Sequence, residues 1–214
     1  MFTKTIASVL MLASLATAHF TIEYPEMRGD SFATGASQYI YPCANVNQTE
    51  ATNRTLWPLT GGSLSLDLHH PWTYLFVNLG LGTVYPTFNI TLTNQFLNET
   101  GNGILCMSQV GLPSSFTPSD GQNASIQVVT VGASGSALYN CADITFSSNA
   151  TTLSGDKCTN SSNVKISVVD GTTATTSAAN SSSTHSAASG KSSELMTAAS
   201  IAVVLGGVFA SLLI

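Results

Sequence analysis

Residues 63–70 read Ser63-Leu64-Ser65-Leu66-Asp67-Leu68-His69-His70, so polar and apolar side chains alternate up to Leu68 and two histidines follow. Alternation of this kind is typical of a β-strand with one buried face, because successive side chains point to opposite sides of a strand. Pro71 comes next and cannot continue a central strand. The stretch therefore predicts a strand that carries two imidazoles to a loop at its end.

Similar short segments lie on both sides of this strand, and turns rich in glycine separate them. Between the two ends of the chain, no segment shows the 3.6-residue period of a helix. The predicted strands cover residues 20–24, 63–68, 73–79, 87–93, 104–110, 125–131, 138–146 and 164–169. This number of short strands predicts an all-β fold, an immunoglobulin- or fibronectin-III-like antiparallel β-sandwich with loops clustered at its two ends.

Residues 1–18 have the features of a secretory signal peptide. Lys4 supplies the positive start, residues 6–15 form a short apolar run, and Ala16-Thr17-Ala18 is a cleavage site of small residues. Cleavage there makes His19 the first residue of the mature chain, with a free α-amine beside its imidazole. With a second histidine, these nitrogens can hold Cu(II) in a T-shaped arrangement, the histidine brace. The alternative is that a histidine follows the cleavage site by accident.

The C-terminal end carries a second processing signal. Residues 195–214 are apolar and no Lys or Arg follows them; a polar spacer, residues 191–194, and small residues, 187–190, precede them. This order is the signal for a glycosylphosphatidylinositol (GPI) anchor attached at Ser189 or Gly190. The alternative is a single membrane-spanning helix at the C-terminus.

Composition divides the rest of the chain. Anchor attachment removes residues 191–214, and residues 171–190, mostly Ser, Thr and Ala, are predicted to form a disordered stalk because they have little to bury. Residues 19–170 then form one domain. Charged residues make up 8% of the chain and its formal net charge is −5, which argues against a nucleic-acid partner.

Asn-x-Ser/Thr sequons offset this scarcity of charge, because attached glycans hydrate a protein surface. Together with the signal peptide they predict a secreted glycoprotein. The predicted N-glycosylation sites are Asn47, Asn53, Asn89, Asn98, Asn123, Asn149, Asn160 and Asn180.

The four cysteines, Cys43, Cys106, Cys141 and Cys158, are an even count in a secreted chain and predict two disulfides with three possible pairings. We favour Cys106 with Cys141, because both lie in strand-like segments. Cys43 would then pair with Cys158 and join the two flanks of the domain. A cysteine metal site is disfavoured because no Cys-x-x-Cys spacing occurs.

Three histidines remain as candidate metal ligands once His185 is assigned to the stalk. They are His19, His69 and His70. Strand parity does not decide between His69 and His70, because a strand that is about to turn can present either face. The sequence therefore predicts one ligand at the mature N-terminus and one from this pair.

Asp143 is a further candidate ligand. It is an acid in the otherwise apolar strand predicted over residues 138–146, where an unpaired buried carboxylate would be costly. A cation, an arginine or several N–H donors must therefore meet it. Arg28 and Arg54 are the available arginines, and pairing with one of them is the alternative to a role as a metal ligand.

Several motifs together carry a resemblance to a known family. They are HFTIEYP at 19–25, RG at 28–29, NRT at 53–55, WPLTGG at 57–62, LDLHH at 66–70, LGLG at 79–82, FNITL at 88–92 and LYNCADITF at 138–146. In these motifs the chain resembles the fungal copper-acquisition-factor family, whose members are similar to lytic polysaccharide monooxygenases in fold. The resemblance covers residues 19–165 and extends to the two disulfides and the anchored tail.

The resemblance implies a site for one Cu(II) ion made of His19, His70 and Asp143, with His69 in reserve. Family members are associated with copper uptake at the cell surface and with the fungal wall rather than with oxidation of polysaccharides. The resemblance thus implies a protein that is not an enzyme and that has copper as its ligand.

We therefore expect a GPI-anchored protein on the extracellular face of the plasma membrane, with the cell wall as a second destination. It would capture Cu(II) for copper acquisition and homeostasis and pass it to a membrane copper transporter or reductase. One alternative is a copper-dependent monooxygenase acting on cell-wall polysaccharide, and another is a GPI-anchored structural protein of the wall. A hydrolase is disfavoured because no Ser/His/Asp triad can be assembled from these residues.

Overall fold

The computed structural model describes residues 19–48, 53–83 and 86–169. The elements of these residues are β1 Phe20–Tyr24, β2 Thr55–Pro58, β3 Gly61–Leu68, β4 Trp72–Leu81, β5 Ile90–Thr91, β6 Phe96–Thr100, β7 Gly103–Gly111, β8 Asn123–Val131, β9 Ala137–Ser147, the 3₁₀ helix η1 Gly155–Lys157 and β10 Lys165–Val169. Within the described ranges, no helix is long and apolar enough to span a membrane. The predicted signal peptide, stalk and anchor signal lie outside these ranges.

The strands form the two sheets of a sandwich. The smaller sheet has the strand order β1-β3-β7; the larger has the order β10-β6-β4-β8-β9-β2, with β5 paired to β4. The pairs are antiparallel, except that β2 runs parallel to β9 at one edge. The predicted all-β sandwich is confirmed, and its larger sheet is mixed at that edge.

The core fills the space between the two sheets with side chains from alternate strand positions. The alternating residues of β3 place Leu64, Leu66 and Leu68 there, all fully buried. Trp57 and Phe146 pack edge to face with ring centroids 6.0 Å apart, and the Trp57 indole N–H donates to the Ser63 carbonyl at 3.1 Å. This bond satisfies the one polar atom of the indole inside an apolar core.

Two strands were not predicted from the sequence, and one prediction was too long. β2 ends in a proline and lies at a sheet edge, where proline is tolerated. β6 has the sequence Phe-Leu-Asn-Glu-Thr, in which polar and apolar residues do not alternate. The strand predicted over residues 87–93 is reduced to β5, the two residues Ile90–Thr91.

The favoured disulfide pairing was wrong, and the bonds are Cys43–Cys141 and Cys106–Cys158. Cys106 lies on β7 beside the inward-facing Leu105, so it faces outward from the smaller sheet. Cys141 faces outward from the larger sheet. Because packed sheets lie about 10 Å apart, these two cysteines are on opposite sides of the sandwich, too far apart for a bond.

Two neighbouring crossovers between the sheets form one end of the sandwich. The chain passes from β3 to β4 through His69, His70 and Pro71, and from β6 to β7 through Gly101 and Asn102. The Gly101 N–H donates to the Pro71 carbonyl at 2.8 Å. Gly101 has φ +100°, and a Cβ there would collide with the Asn163 carbonyl, so only glycine fits. The crossovers are therefore held together at the end that carries the histidines.

Candidate metal site

His19 lies directly before β1, and pairing of β1 with β3 brings it to the paired histidines. Phe20 is opposite Leu68 in the register, and the His69 N–H donates to the His19 carbonyl at 3.1 Å. The start of the domain is thereby fixed beside the β3–β4 crossover. The same end of the sandwich therefore carries His19 and the two histidines of the crossover.

Two buried amides that sequence reasoning missed hold the residue after His19. The Gln38 side chain donates to the Phe20 carbonyl at 2.8 Å and accepts from the Phe20 N–H at 3.2 Å. Asn140 on β9 donates to the same carbonyl at 2.8 Å. Gln38 and Asn140 are almost fully buried, so these bonds form where water does not compete. They keep the first residues of the domain in one position, and no pattern in the sequence indicates them.

His70 is the buried member of the histidine pair. Its side chain lies close enough to the His19 backbone to be influenced by it, but among the described residues no contact of either ring nitrogen has the distance and angle of a hydrogen bond. Burial lowers the pKa of His70 below its ordinary value; the His19 backbone opposes this effect and nearby His69 adds to it. The imidazole is therefore held neutral, and a buried nitrogen without a partner is costly unless a ligand satisfies it.

His69 points away from the site. Its side chain is exposed, and Nε2 lies 3.2 Å from Oδ2 of Asp67. The two side chains are on the same, outward-facing side of the strand end, as alternation requires. Of the two histidines whose roles the sequence left open, His70 is thus the one whose side chain is buried beside His19, whereas His69 contacts His19 through its backbone.

Asp143 is bound by an arginine instead of meeting the histidines. The Arg28 guanidinium donates to both carboxylate oxygens, from Nε to Oδ2 at 3.0 Å and from Nη2 to Oδ1 at 2.9 Å. Ser125 and Gln48 also donate to Oδ1, at 2.6 and 2.9 Å. The Asp143 side chain is fully buried and that of Arg28 is 5% exposed. The structure therefore shows Asp143 paired with an arginine, which was the alternative to a role as a metal ligand.

The position of Asp143 on β9 explains why its carboxylate meets Arg28 and not the histidines. Leu138, Ala142 and Ile144 of β9 face the core, so Asp143 faces the other side of the sheet. Asn140, which contacts the Phe20 carbonyl, lies three residues before Asp143 on the same strand, about 10 Å away along it. Asp143 is thus separated from the His19 end of the sheet by that length of strand. Among the described residues no group of three His, Cys, Asp or Glu side chains could hold a metal. Asp143 therefore fastens the chain after β1 to the outer face of the sheet.

Glu99 on β6 is a second buried acid, and nothing in the sequence pattern pointed to it. It is fully buried, and neither carboxyl oxygen has a hydrogen-bond partner among the described residues. Burial raises the pKa of Glu99 to about 7. Its neighbours in register are Thr73 of β4 and Ile166 of β10, which offer no opposite charge.

Glu99 should make the domain less stable as the pH rises. Between about pH 4.5 and about pH 7 the folded chain keeps a proton that the unfolded chain has released, so stability falls across this range. The loss is about 3 kcal/mol at 1.36 kcal/mol per pKa unit. Glu99→Gln should abolish it, measured as the free energy of urea unfolding from pH 4 to pH 8. The exposed Glu26→Gln is the control, and an unchanged slope in Glu99→Gln would contradict this prediction.

Two aromatic side chains, Phe32 and Tyr39, lie beside the His19 ring. The ring centroids of Phe32 and Tyr39 lie 5.2 and 6.2 Å from that of His19. Both aromatic side chains are about half exposed, so the imidazole is packed on one side and open to solvent on the other. His19 is accordingly at the surface, whereas the ring nitrogens of His70 are buried.

The chemistry available here is nitrogen coordination. Removal of residues 1–18 would add an α-amine to the His19 imidazole, and the neutral His70 ring lies against the same residue. Three such nitrogens suit Cu(II), which favours nitrogen ligands in a planar arrangement. A brace needs only two side chains, so it is compatible with the finding that no three His, Cys, Asp or Glu side chains of the described ranges could hold a metal. The residues present fit a copper ion, and the unpartnered nitrogens of His70 are the observation that supports this.

Comparison with known proteins agrees with this chemistry. Residues 17–163 match the family described as Copper acquisition factor BIM1-like. The lytic polysaccharide monooxygenase-like protein X325 of Aspergillus fumigatus is 33% identical over 203 residues, which cover 79% of this chain and 84% of the relative. The lytic polysaccharide monooxygenase-like protein ham-7 of Neurospora crassa is 36% identical over 165 residues, 68% of this chain and 71% of the relative. The Copper acquisition factor BIM1 of Cryptococcus neoformans is 28% identical over 172 residues, 73% of each chain.

Proposed function

The chain belongs to the BIM1-like copper acquisition factor family, and on this basis we propose that it is a cell-surface protein that binds Cu(II) for uptake without transforming it. The observation that carries the proposal is the buried His70 ring beside the backbone of His19, whose two nitrogens make no hydrogen bond with any residue that the structure describes. The copper ion is the cargo of this site. No catalysis is proposed.

We propose that the α-amine and imidazole of His19 and the imidazole of His70 hold one Cu(II) ion. Gln38 and Asn140 fix the backbone next to His19, so two of the donors are positioned before the ion arrives. Preorganised donors bind more tightly because less ordering is needed on binding. The low pKa of His70 acts in the same direction, because a neutral ring has no proton to lose before it ligates.

The proposed location rests on the two processing signals of the sequence. A signal peptide over residues 1–18 generates the amine of His19, and a GPI anchor at Ser189 or Gly190 keeps the domain at the plasma membrane. At that surface a membrane reductase or copper transporter is within reach. The stalk of residues 171–190 would separate the site from the lipid, and transfer to the wall is the second destination.

The test is to compare the mature chain, which begins at His19, with a protein that keeps Ala18 before it. The extra residue converts the α-amine into an amide and leaves both imidazoles in place. We expect Cu(II) affinity in a competition titration to fall at least tenfold, about 1.4 kcal/mol. The electron paramagnetic resonance spectrum of the copper-loaded mature chain should show coupling of Cu(II) to nitrogen. The extended protein should show coupling to fewer nitrogens, because its α-amine has become an amide. Equal affinity of the two proteins would exclude the brace.

A copper-dependent polysaccharide monooxygenase remains a second candidate because the aromatic rings of Phe32 and Tyr39 are exposed beside His19. Flat aromatic side chains next to a metal could lie on a polymer. Incubation of the copper-loaded mature chain with chitin or β-glucan and a reductant distinguishes the two functions. Release of oxidised oligosaccharides would favour the monooxygenase, and their absence would favour copper capture alone.

A further inference from the structure

Four aromatic side chains form a contiguous surface on the outside of the larger sheet, where β4 pairs with β6. We call Trp72, Tyr74, Phe76 and Phe96 the aromatic face. Trp72 packs against Tyr74 with ring centroids 5.5 Å apart, and Phe76 against Phe96 at 5.4 Å, both edge to face. Phe96 is 59% exposed and Tyr74 is 39% exposed. A contiguous exposed apolar patch usually marks a surface that something covers.

Asn98 lies in the middle of the aromatic face. It is directly opposite Tyr74 in the register, and Trp72 is opposite Thr100. Because alternate residues share one side of a strand, Phe96, Asn98 and Thr100 all face outward. Glu99 between them is fully buried on the other side. Among the described residues, no hydrogen bond involves the Asn98 carboxamide, so its nitrogen is available on the exposed side of the sheet.

Asn98-Glu99-Thr100 is also an N-glycosylation sequon. Its acceptor side chain, its threonine and the aromatic residue two positions earlier all lie on one surface. Beside them is an apolar depression of about 280 Å³, lined by Tyr74, Phe76, Phe96 and Val169. A glycan attached to Asn98 would therefore emerge between aromatic rings.

We propose that Asn98 carries an N-glycan whose first N-acetylglucosamine residues lie on the aromatic face and cover it. A pyranose ring presents C–H groups with partial positive charge, and these pack on the negative face of an aromatic ring. The contact also removes apolar ring surface from water, which is favourable in proportion to the area covered. Covalent attachment places the sugar at this surface at high effective concentration, so it is favoured over a free polymer or a second copy of the chain.

The proposal rests on the secretory route included in the proposed function, because N-glycans are added there. Asn149 provides the matched control for that route. It is an exposed sequon in the turn after β9, and its described hydrogen-bond neighbour is the polar Ser147. Modification of Asn149 reports that the chain passed through the glycosylation machinery, independently of the aromatic face.

The experiment uses the full chain expressed in a fungal host, with site occupancy measured by peptide mass spectrometry. Asn98 should be occupied, and Asn98→Gln and Thr100→Ala should each remove its glycan. Both variants should bind a hydrophobic dye more strongly and lower the unfolding temperature by about 3 °C. Asn149→Gln should change neither property. In an Asn98→Gln background, Phe96→Ser should lower the unfolding temperature by less than it does in the glycosylated chain, because only the packing of Phe96 on Phe76 is then lost.

Three results would overturn the proposal. The first is an unmodified Asn98 in a chain whose Asn149 is modified. The second is an occupied Asn98 whose loss affects dye binding and unfolding no more than loss of Asn149. The third is tight binding of chitin or β-glucan by the native chain that Tyr74→Ser abolishes, because the aromatic face would then serve a polymer. Absence of glycans from both asparagines would overturn this proposal together with the secretory route.

Discussion

His70→Leu should weaken Cu(II) binding by the mature chain by about 100-fold or more, because loss of even an outer-shell partner of a metal ligand costs 10–100-fold. The ring is buried beside the backbone of His19, and within the described ranges neither nitrogen makes a hydrogen bond. Leucine fills a similar volume and removes both nitrogens, so the core is kept while the donor is lost. A competition titration of the mature chain against a copper chelator measures the effect.

His69→Ala is the matched control, because this neighbouring imidazole is exposed and paired with Asp67. It should retain the affinity of the unaltered chain within a few-fold. Urea unfolding of both variants separates loss of the ligand from loss of the fold. If His69→Ala lost affinity and His70→Leu kept it, the assignment of the ligand would be reversed.

Asp143→Ala should lower the free energy of unfolding by about 3–5 kcal/mol, because it leaves the Arg28 guanidinium buried without its counter-charge. For a domain of this size the loss corresponds to a fall of roughly 10 °C in the unfolding temperature. The same substitution should leave Cu(II) affinity nearly unchanged, because Asp143 faces the side of β9 away from the core. Urea unfolding and a copper titration of the same sample test both statements.

The double variant Arg28→Met with Asp143→Leu is the control for this ion pair. Removing both charges and keeping the volume is often neutral, so the double variant should recover much of the stability that the single variant loses. A conservative Asp143→Asn that weakened Cu(II) binding while leaving unfolding unchanged would contradict the structural role. It would restore Asp143 as the third ligand.

The pattern of polar and apolar residues along the chain was sufficient to predict most of the strands. Alternation in β3 and the apolar runs of β8 and β9 predicted those strands to within two residues at each end, because the period of a half-buried strand is visible in the sequence. β6 was missed because its outward face carries the polar residues of a sequon and its inward face carries Glu99. Sheet partners had to make this segment a strand, since its polar and apolar residues do not alternate and two of its five residues, Asn98 and Glu99, are of types uncommon in strands.

Some residues of the candidate site could be predicted from the sequence and others could not, because contacts between distant segments are not visible in a local pattern. His19 and the histidine pair were identified because few imidazoles occur in the chain and they lie at predicted strand ends. The roles of Asp143, Gln38 and Asn140 depend on which segment covers which face of a sheet. Asp143 has a carboxylate suited to either a metal or an arginine, and only the position of Arg28 beside it decides between them.

The sequence by itself determined the class of the fold, the disulfide count and the nature of the candidate ligands, because these follow from alternation, composition and chemistry along the chain. Only the tertiary structure decided the disulfide partners, the burial of the His70 ring and exposure of the His69 ring, and the pairing of Asp143 with Arg28. Each of these depends on the face of the sheet to which a side chain points and on the element that covers that face. The side of the sandwich on which a residue lies is set by contacts between segments distant in sequence, such as Arg28 with Asp143 and Cys43 with Cys141.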